Sequence, residues 1–112
     1  MIRTLTDATI DPALASPRPV LVEVGAAWCP PCRALAPILD AVAKQREGSL
    51  DVVTVDSDES PHAVARFGAM SVPTLLLFKG GELIGRWVGY RSLPKLQTLL
   101  DEALVAGHAA AV

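Results

Sequence analysis

The two cysteines of this chain, Cys29 and Cys32, are separated by two prolines and follow closely on the apolar run Val20-Leu21-Val22-Glu23-Val24. That arrangement restricts the local backbone to a strand that ends at the motif and a helix that begins there. Prolines at the first two helical positions lose no hydrogen bond, because those N–H groups have no partner inside the helix. With Cys29 at the N-cap, its sulfur faces the N–H of Cys32 and the positive end of the helix dipole, and both favour the thiolate. On a helix, residues three apart lie on one face about 5 to 6 Å apart, within reach of a disulfide. Cys29, read as an exposed N-cap thiol, is therefore the candidate nucleophile, and Cys32, one turn deeper, the candidate resolving thiol.

The same spacing could supply half of a zinc site, which would need two more ligands. Only His62 and His108 could add imidazole nitrogens, and they are far apart in sequence, with His108 in the Ala-rich stretch 106–112. Structural zinc sites use paired, closely spaced ligands, so the redox reading is preferred and no metal is expected. Asp56, Asp58 and Glu59 form the one acidic cluster, read as a solvated loop that puts negative charge at the start of the next helix.

Hydrophobic periodicity gives alternating strands and helices. Val20 to Val24, Val52 to Val55 and Thr74 to Phe78 read as buried strands. Leu35, Ile38, Leu39 and Val42 follow the spacing of a helix packed on a sheet, with Pro37 expected to interrupt and kink it. Ser60 and Ser92 are read as N-caps, Gly68 as a helix end, and Lys79-Gly80-Gly81-Glu82 as a hairpin turn. Leu93, Leu96, Leu100, Ala103 and Leu104 line the apolar face of a last helix.

Composition narrows the function classes. With 112 residues, 51% of them hydrophobic, the chain suits one domain with a real core, assigned to 1–105 with a flexible tail over 106–112. Its net charge of −2 offers no basic stripe, so no nucleic-acid partner is expected. Arg3, Asp7 and Asp11 break up the first twenty residues, which argues against a signal peptide or a membrane span and for a reducing cytoplasm. There is no Gly-x-Gly-x-x-Gly nucleotide fingerprint.

Several spaced segments together resemble the thioredoxin family, from about Leu5 to Leu104. They are the apolar strand Val20-Leu21-Val22-Glu23, the motif Trp28-Cys29-Pro30-Pro31-Cys32, the helix Leu35-Ala36-Pro37-Ile38-Leu39-Asp40, the run from Val72-Pro73-Thr74 to Gly80-Gly81-Glu82, and Val88-Gly89. The resemblance implies an α/β thioredoxin fold in the order βαβαβαββα, a mixed central five-stranded sheet flanked by four helices. It also implies a thiol–disulfide oxidoreductase that reduces disulfides in partner proteins through a reversible Cys29–Cys32 pair. No bound cofactor is then needed; electrons would come from a thioredoxin reductase using FAD and NADPH, and the chain would act as a monomer. A dedicated oxidant or isomerase, or a binding role with incidental thiols, are the competing functions.

By the same resemblance, Trp28 is a flat apolar wall for a docking polypeptide, and Pro30 and Pro31, which shape the active-site turn, belong with it to the substrate-binding surface. Pro73 is a cis-proline opposite the dithiol, and Val72 offers backbone groups to an extended substrate. Gly89 leaves room for that substrate, and Tyr90 narrows the groove. Glu23 stands at the family's buried carboxylate and would accept the proton of Cys32. Thr54 stands where a lysine is common. Gly25 replaces a large aromatic, a change expected to loosen packing behind the site.

Overall fold

The computed structural model describes residues 2–107. Nine elements follow one another as β1 (Arg3–Leu5), α1 (Ile10–Leu14), β2 (Val20–Gly25), α2 (Pro30–Gln45), β3 (Asp51–Asp56), α3 (Pro61–Phe67), β4 (Thr74–Lys79), β5 (Glu82–Val88) and α4 (Leu93–Ala106). The strands form a single sheet in the order β1-β3-β2-β4-β5. β1 and β2 run parallel to β3, while β4 lies antiparallel to both β2 and β5. This is the expected element order and mixed sheet.

β2 is the central strand, and all six of its residues are buried. Covered on both faces, it reads as a continuous apolar run rather than an alternation. Val20, Val22 and Val24 join Val53, Val55, Leu76 and Phe78 in the core on one side of the sheet, with Ile10 and Leu14 of α1 and Phe67 of α3. Leu21 points to the other side, where Leu35, Leu39 and Val42 of α2 pack with Leu96 and Leu100 of α4. Glu23 and Gly25 share the parity of Leu21 and therefore face the α2 and α4 side.

Local chemistry explains most element ends. Gly80 and Gly81 connect β4 to β5 with φ of 60° and 81°, the pair of positive values that a two-residue hairpin turn requires. Ser92 Oγ accepts from Lys95 N at 3.4 Å and caps α4. α2 continues through Pro37 rather than ending there. The helix α4 extends to Ala106, one residue past the assigned domain boundary, and Gly107 is its C-cap. The rest of the expected tail, including His108, lies outside the described residues.

One expectation for the start of α3 is corrected. Ser60 is the N-cap residue but makes no capping bond, and its buried Oγ has no hydrogen-bond partner. Asp7, from the loop before α1, does the capping: its carboxylate accepts from Ala63 N at 2.8 Å and His62 N at 3.4 Å. Glu59 of the acidic cluster immediately precedes the N-cap Ser60. Asp56 Oδ1 folds the loop by accepting from Asp58 N at 2.8 Å and Glu59 N at 3.2 Å.

Candidate active site

The site forms where β2 runs out and α2 begins. Cys29 is the N-cap of α2 with an extended backbone, and Pro30 and Pro31 fill the first two helical positions. They bring no N–H to the first turn. The next donor, Cys32 N, points at Cys29 Sγ at 3.3 Å, and Arg33 N makes the first intrahelical bond to Cys29 O at 3.1 Å. The Cα atoms of Cys29 and Cys32 are 5.2 Å apart and their sulfurs are paired as a disulfide. The helix start thus holds two thiols on one face with a single backbone donor aimed at the outer one.

Cys29 is not the exposed thiol that its N-cap position suggested. In the disulfide form it is 2% exposed, and Cys32 is 9% exposed. The cover comes from a loop that is remote in sequence: Val72 packs against both cysteines and Ala26, and its carbonyl oxygen lies 3.8 Å from Cys29 Sγ. The Val72–Pro73 peptide is cis, as the resemblance implies. Thr74 Oγ1 donates to Ser71 O at 2.5 Å across this turn, and Gly89 N donates to Pro73 O at 2.8 Å, tying the loop to the end of β5. Gly89 has φ of +94°, so glycine is required by the backbone itself. A side chain there would meet only Arg91 Nη1 at an ordinary 3.6 Å.

Trp28 is 64% exposed, which excludes a core role. Its indole N–H donates to Asp58 Oδ2 at 2.8 Å, so the ring is pinned from the loop after β3. Sequence reasoning treated Asp58 as mere surface charge. The available signal was topological: β2 and β3 are parallel, so the loops after them emerge at the same end of the sheet. Met70, also missed, is 89% exposed just before the cis loop, and Val88 and the half-exposed Tyr90 flank Gly89. Among the described residues, four of the five large exposed hydrophobic residues, Val105 excepted, thus belong to segments that converge on the dithiol.

Glu23 is buried on β2, opposite Thr54 of β3 and Leu75 of β4. No cation neutralises it; the ion pairs among the described residues are Arg18–Asp51, Arg46–Asp101 and Arg66–Asp11. Thr54 spends its hydroxyl on Thr4 Oγ1 at 3.1 Å. Burial pushes the Glu23 carboxyl from 4.5 up to about 7. Glu23 and Cys32 line one open cleft of about 250 Å³, together with Gly25, Ala36, Thr54 and Asp56. The Glu23 carboxyl occupies the space where a Cβ at Gly25 would lie, and Gly25 also lines the open cleft. Among the described residues no group of three or more His, Cys, Asp or Glu side chains is arranged to hold a metal ion, and no helix is long and apolar enough to cross a membrane.

Residues 1–102 match a family model described as Thioredoxin. A protein named Thioredoxin from Alicyclobacillus acidocaldarius is 42% identical over 101 residues, covering 90% of this chain and 96% of that one. Thioredoxin 1 of a Nostoc species is 44% identical over 101 residues, covering 89% and 91%. Thioredoxin of Listeria monocytogenes is 38% identical over 102 residues, covering 91% and 98%.

Proposed function

Because the chain belongs to the thioredoxin family, we propose that it works as a protein-disulfide reductase in which Cys29 attacks, Cys32 resolves and Glu23 handles the proton. The observation that carries this reading is the Cys29–Cys32 pair at the start of α2, beneath the cis Val72–Pro73 loop and beside an exposed apolar rim. The Cys29 thiolate attacks one sulfur of a partner disulfide; that S–S bond breaks, and the leaving sulfur takes up a proton. In the mixed disulfide the Cys32 thiol gives its proton to the Glu23 carboxylate. The Cys32 thiolate then attacks Cys29 Sγ, the bond from Cys29 to the partner breaks, and the partner leaves with both sulfurs reduced. Two electrons pass to the partner, and the chain is left with the Cys29–Cys32 disulfide.

A carboxyl whose pKa is near 7 is suited to this transfer, since at neutral pH it is both partly ionised and basic enough to accept a proton. Trp28 and Val72 would border the docked polypeptide, with Pro73 and Gly89 holding the loop against which it lies and Pro30 and Pro31 fixing the turn. The dithiol is the redox group, so regeneration falls to a flavoprotein reductase that draws on NADPH. We assign the protein as a monomer working in the cytoplasm, where a reducing environment keeps the dithiol charged.

Insulin reduction tests the proposal. With a small dithiol as electron source, the purified protein is expected to accelerate cleavage of the insulin interchain disulfides, and Cys29→Ser is expected to abolish the acceleration. A wild-type rate equal to that of the dithiol alone would refute the assignment.

A further inference from the structure

Glu23 and Gly25 lie two residues apart on the same face of the central strand, and the space between them is shared. A Cβ added at Gly25 would sit 3.0 Å from Glu23 Cδ and 3.2 Å from Oε1, and closer still to Oε2. The backbone at Gly25 has no positive φ, so nothing in its conformation requires glycine. A glycine inside a buried strand weakens it by adding flexibility and removing packing. What the missing side chain provides is room. Glu23 leans along β2 into that room, toward the end of the strand where the dithiol helix starts. β5 uses the same device: a Cβ at Gly85 would meet the Trp87 ring at 2.5 and 2.8 Å, so the indole two residues on lies over that glycine.

We propose that Gly25 is a positioning residue for disulfide exchange: by lacking a side chain, it lets the long side chain of Glu23 set its carboxyl in the cleft it shares with Cys32. This inference rests on the reading of Glu23 as proton acceptor. Acid length and the side chain two residues on then form one unit, a glutamate with a glycine, in which enlarging the second displaces the first. The charged and titratable groups around the carboxyl are Cys32 and Arg33 of α2 and Asp56 of β3. Arg33 is engaged elsewhere, donating to Ala27 O at 2.9 Å. β1 reaches the cleft through Thr4, β4 faces the carboxyl with Leu75, and α4 meets this side of the sheet through Leu93, Leu96 and Leu100.

The test follows both steps of the reaction with a disulfide peptide by stopped flow across the neutral pH range, in the wild type, Gly25→Ala, Glu23→Gln, Glu23→Asp and Glu23→Asp/Gly25→Ala. Gly25→Ala is expected to leave attack by Cys29 unchanged, to slow release from the mixed disulfide roughly tenfold, part of what a general base supplies, and to displace the pH midpoint of that step. Shortening the acid relieves the collision, so Glu23→Asp/Gly25→Ala is expected to match Glu23→Asp in both rate and midpoint. If Glu23→Gln slows release while Gly25→Ala changes neither rate nor midpoint, the role of Gly25 is overturned and that of Glu23 stands. If Glu23→Gln releases at the wild-type rate, the proton-acceptor reading itself fails. Should Gly25→Ala not fold, the two Asp variants decide: equal behaviour supports the proposal, and a double variant that is slower or unfolded overturns it.

Discussion

At the scale of single residues, the two cysteines are chemically unequal although they share one disulfide. Cys29 Sγ receives the Cys32 backbone N–H and lies at the positive end of α2, whereas Cys32 is one turn inside the helix and opens on the Glu23 cleft. A thiolate stabilised at the helix start attacks first, and a thiol beside a carboxyl of raised pKa deprotonates when resolution requires it. Cys32→Ser is therefore expected to accumulate covalent complexes with disulfide proteins, because the intermediate loses its internal nucleophile. Cys29→Ser should accumulate few. Non-reducing gels of each variant incubated with an oxidised test protein distinguish the two, and equal trapping by both would remove the assignment of roles. Trp28 adds a different kind of asymmetry. Its exposed ring would be costly to hold in one orientation without the bond from Asp58, which comes from a segment thirty residues away.

At the scale of elements, the start of α2 is the feature most tightly determined by local chemistry. Two prolines remove two N–H groups that would otherwise lack partners, and the third goes to sulfur. Proline at a position whose backbone it already fits also lowers the entropy of the unfolded chain. Pro30→Gly is thus expected to keep the fold, to lower unfolding stability by about 1 kcal/mol in urea titrations, and to move the reduction potential by tens of millivolts. For a two-electron couple roughly 30 mV corresponds to about 1.4 kcal/mol, so a turn that fits the dithiol and the disulfide unequally by that much is readable in a glutathione redox series. An unmoved potential would mean that the dipeptide tunes stability alone.

At the scale of the whole molecule, one buried carboxyl couples the active site to global stability. Glu23 lies in the central strand between Thr54 and Leu75, where burial favours the neutral form. Its pKa is higher folded, about 7, than the 4.5 of an exposed glutamate, so between these values the folded chain holds more protons than the unfolded one. Stability is therefore lost as pH rises through that window and levels off above about 7. At about 1.4 kcal/mol per pH unit, the full difference is on the order of 3 kcal/mol. Glu23→Gln is expected to flatten this dependence and to be more stable than the wild type at pH 8, with little difference near pH 4. Urea unfolding at a series of pH values checks it, and parallel slopes for the two proteins would show that Glu23 is not the group responsible.

Local rules determined a large part of this protein. The Pro-Pro helix start, the Gly80-Gly81 turn, the buried runs of β2 and β4 and the apolar face of α4 follow from hydrogen-bond capacity, allowed φ and hydrophobic period, which neighbours in the chain settle among themselves. The positions of Cys29, Cys32, Trp28, Pro73 and Glu23 were legible through spaced motifs and family resemblance. What covers or completes those residues was not. Val72 lying over Cys29, Asp58 holding Trp28, Asp7 capping α3 in place of Ser60, and Glu23 filling the space above Gly25 join groups by distance in space. The first three bring together segments thirty or more residues apart, which no sequence period connects. The fourth joins near neighbours, but it depends on how the Glu23 side chain lies in the cleft that α2, β2 and β3 form together. Cys29 thus became a covered sulfur only when the antiparallel pairing of β2 with β4 brought the start of β4, and with it the Val72 loop, to the end of β2, a result of strand order rather than of any local preference.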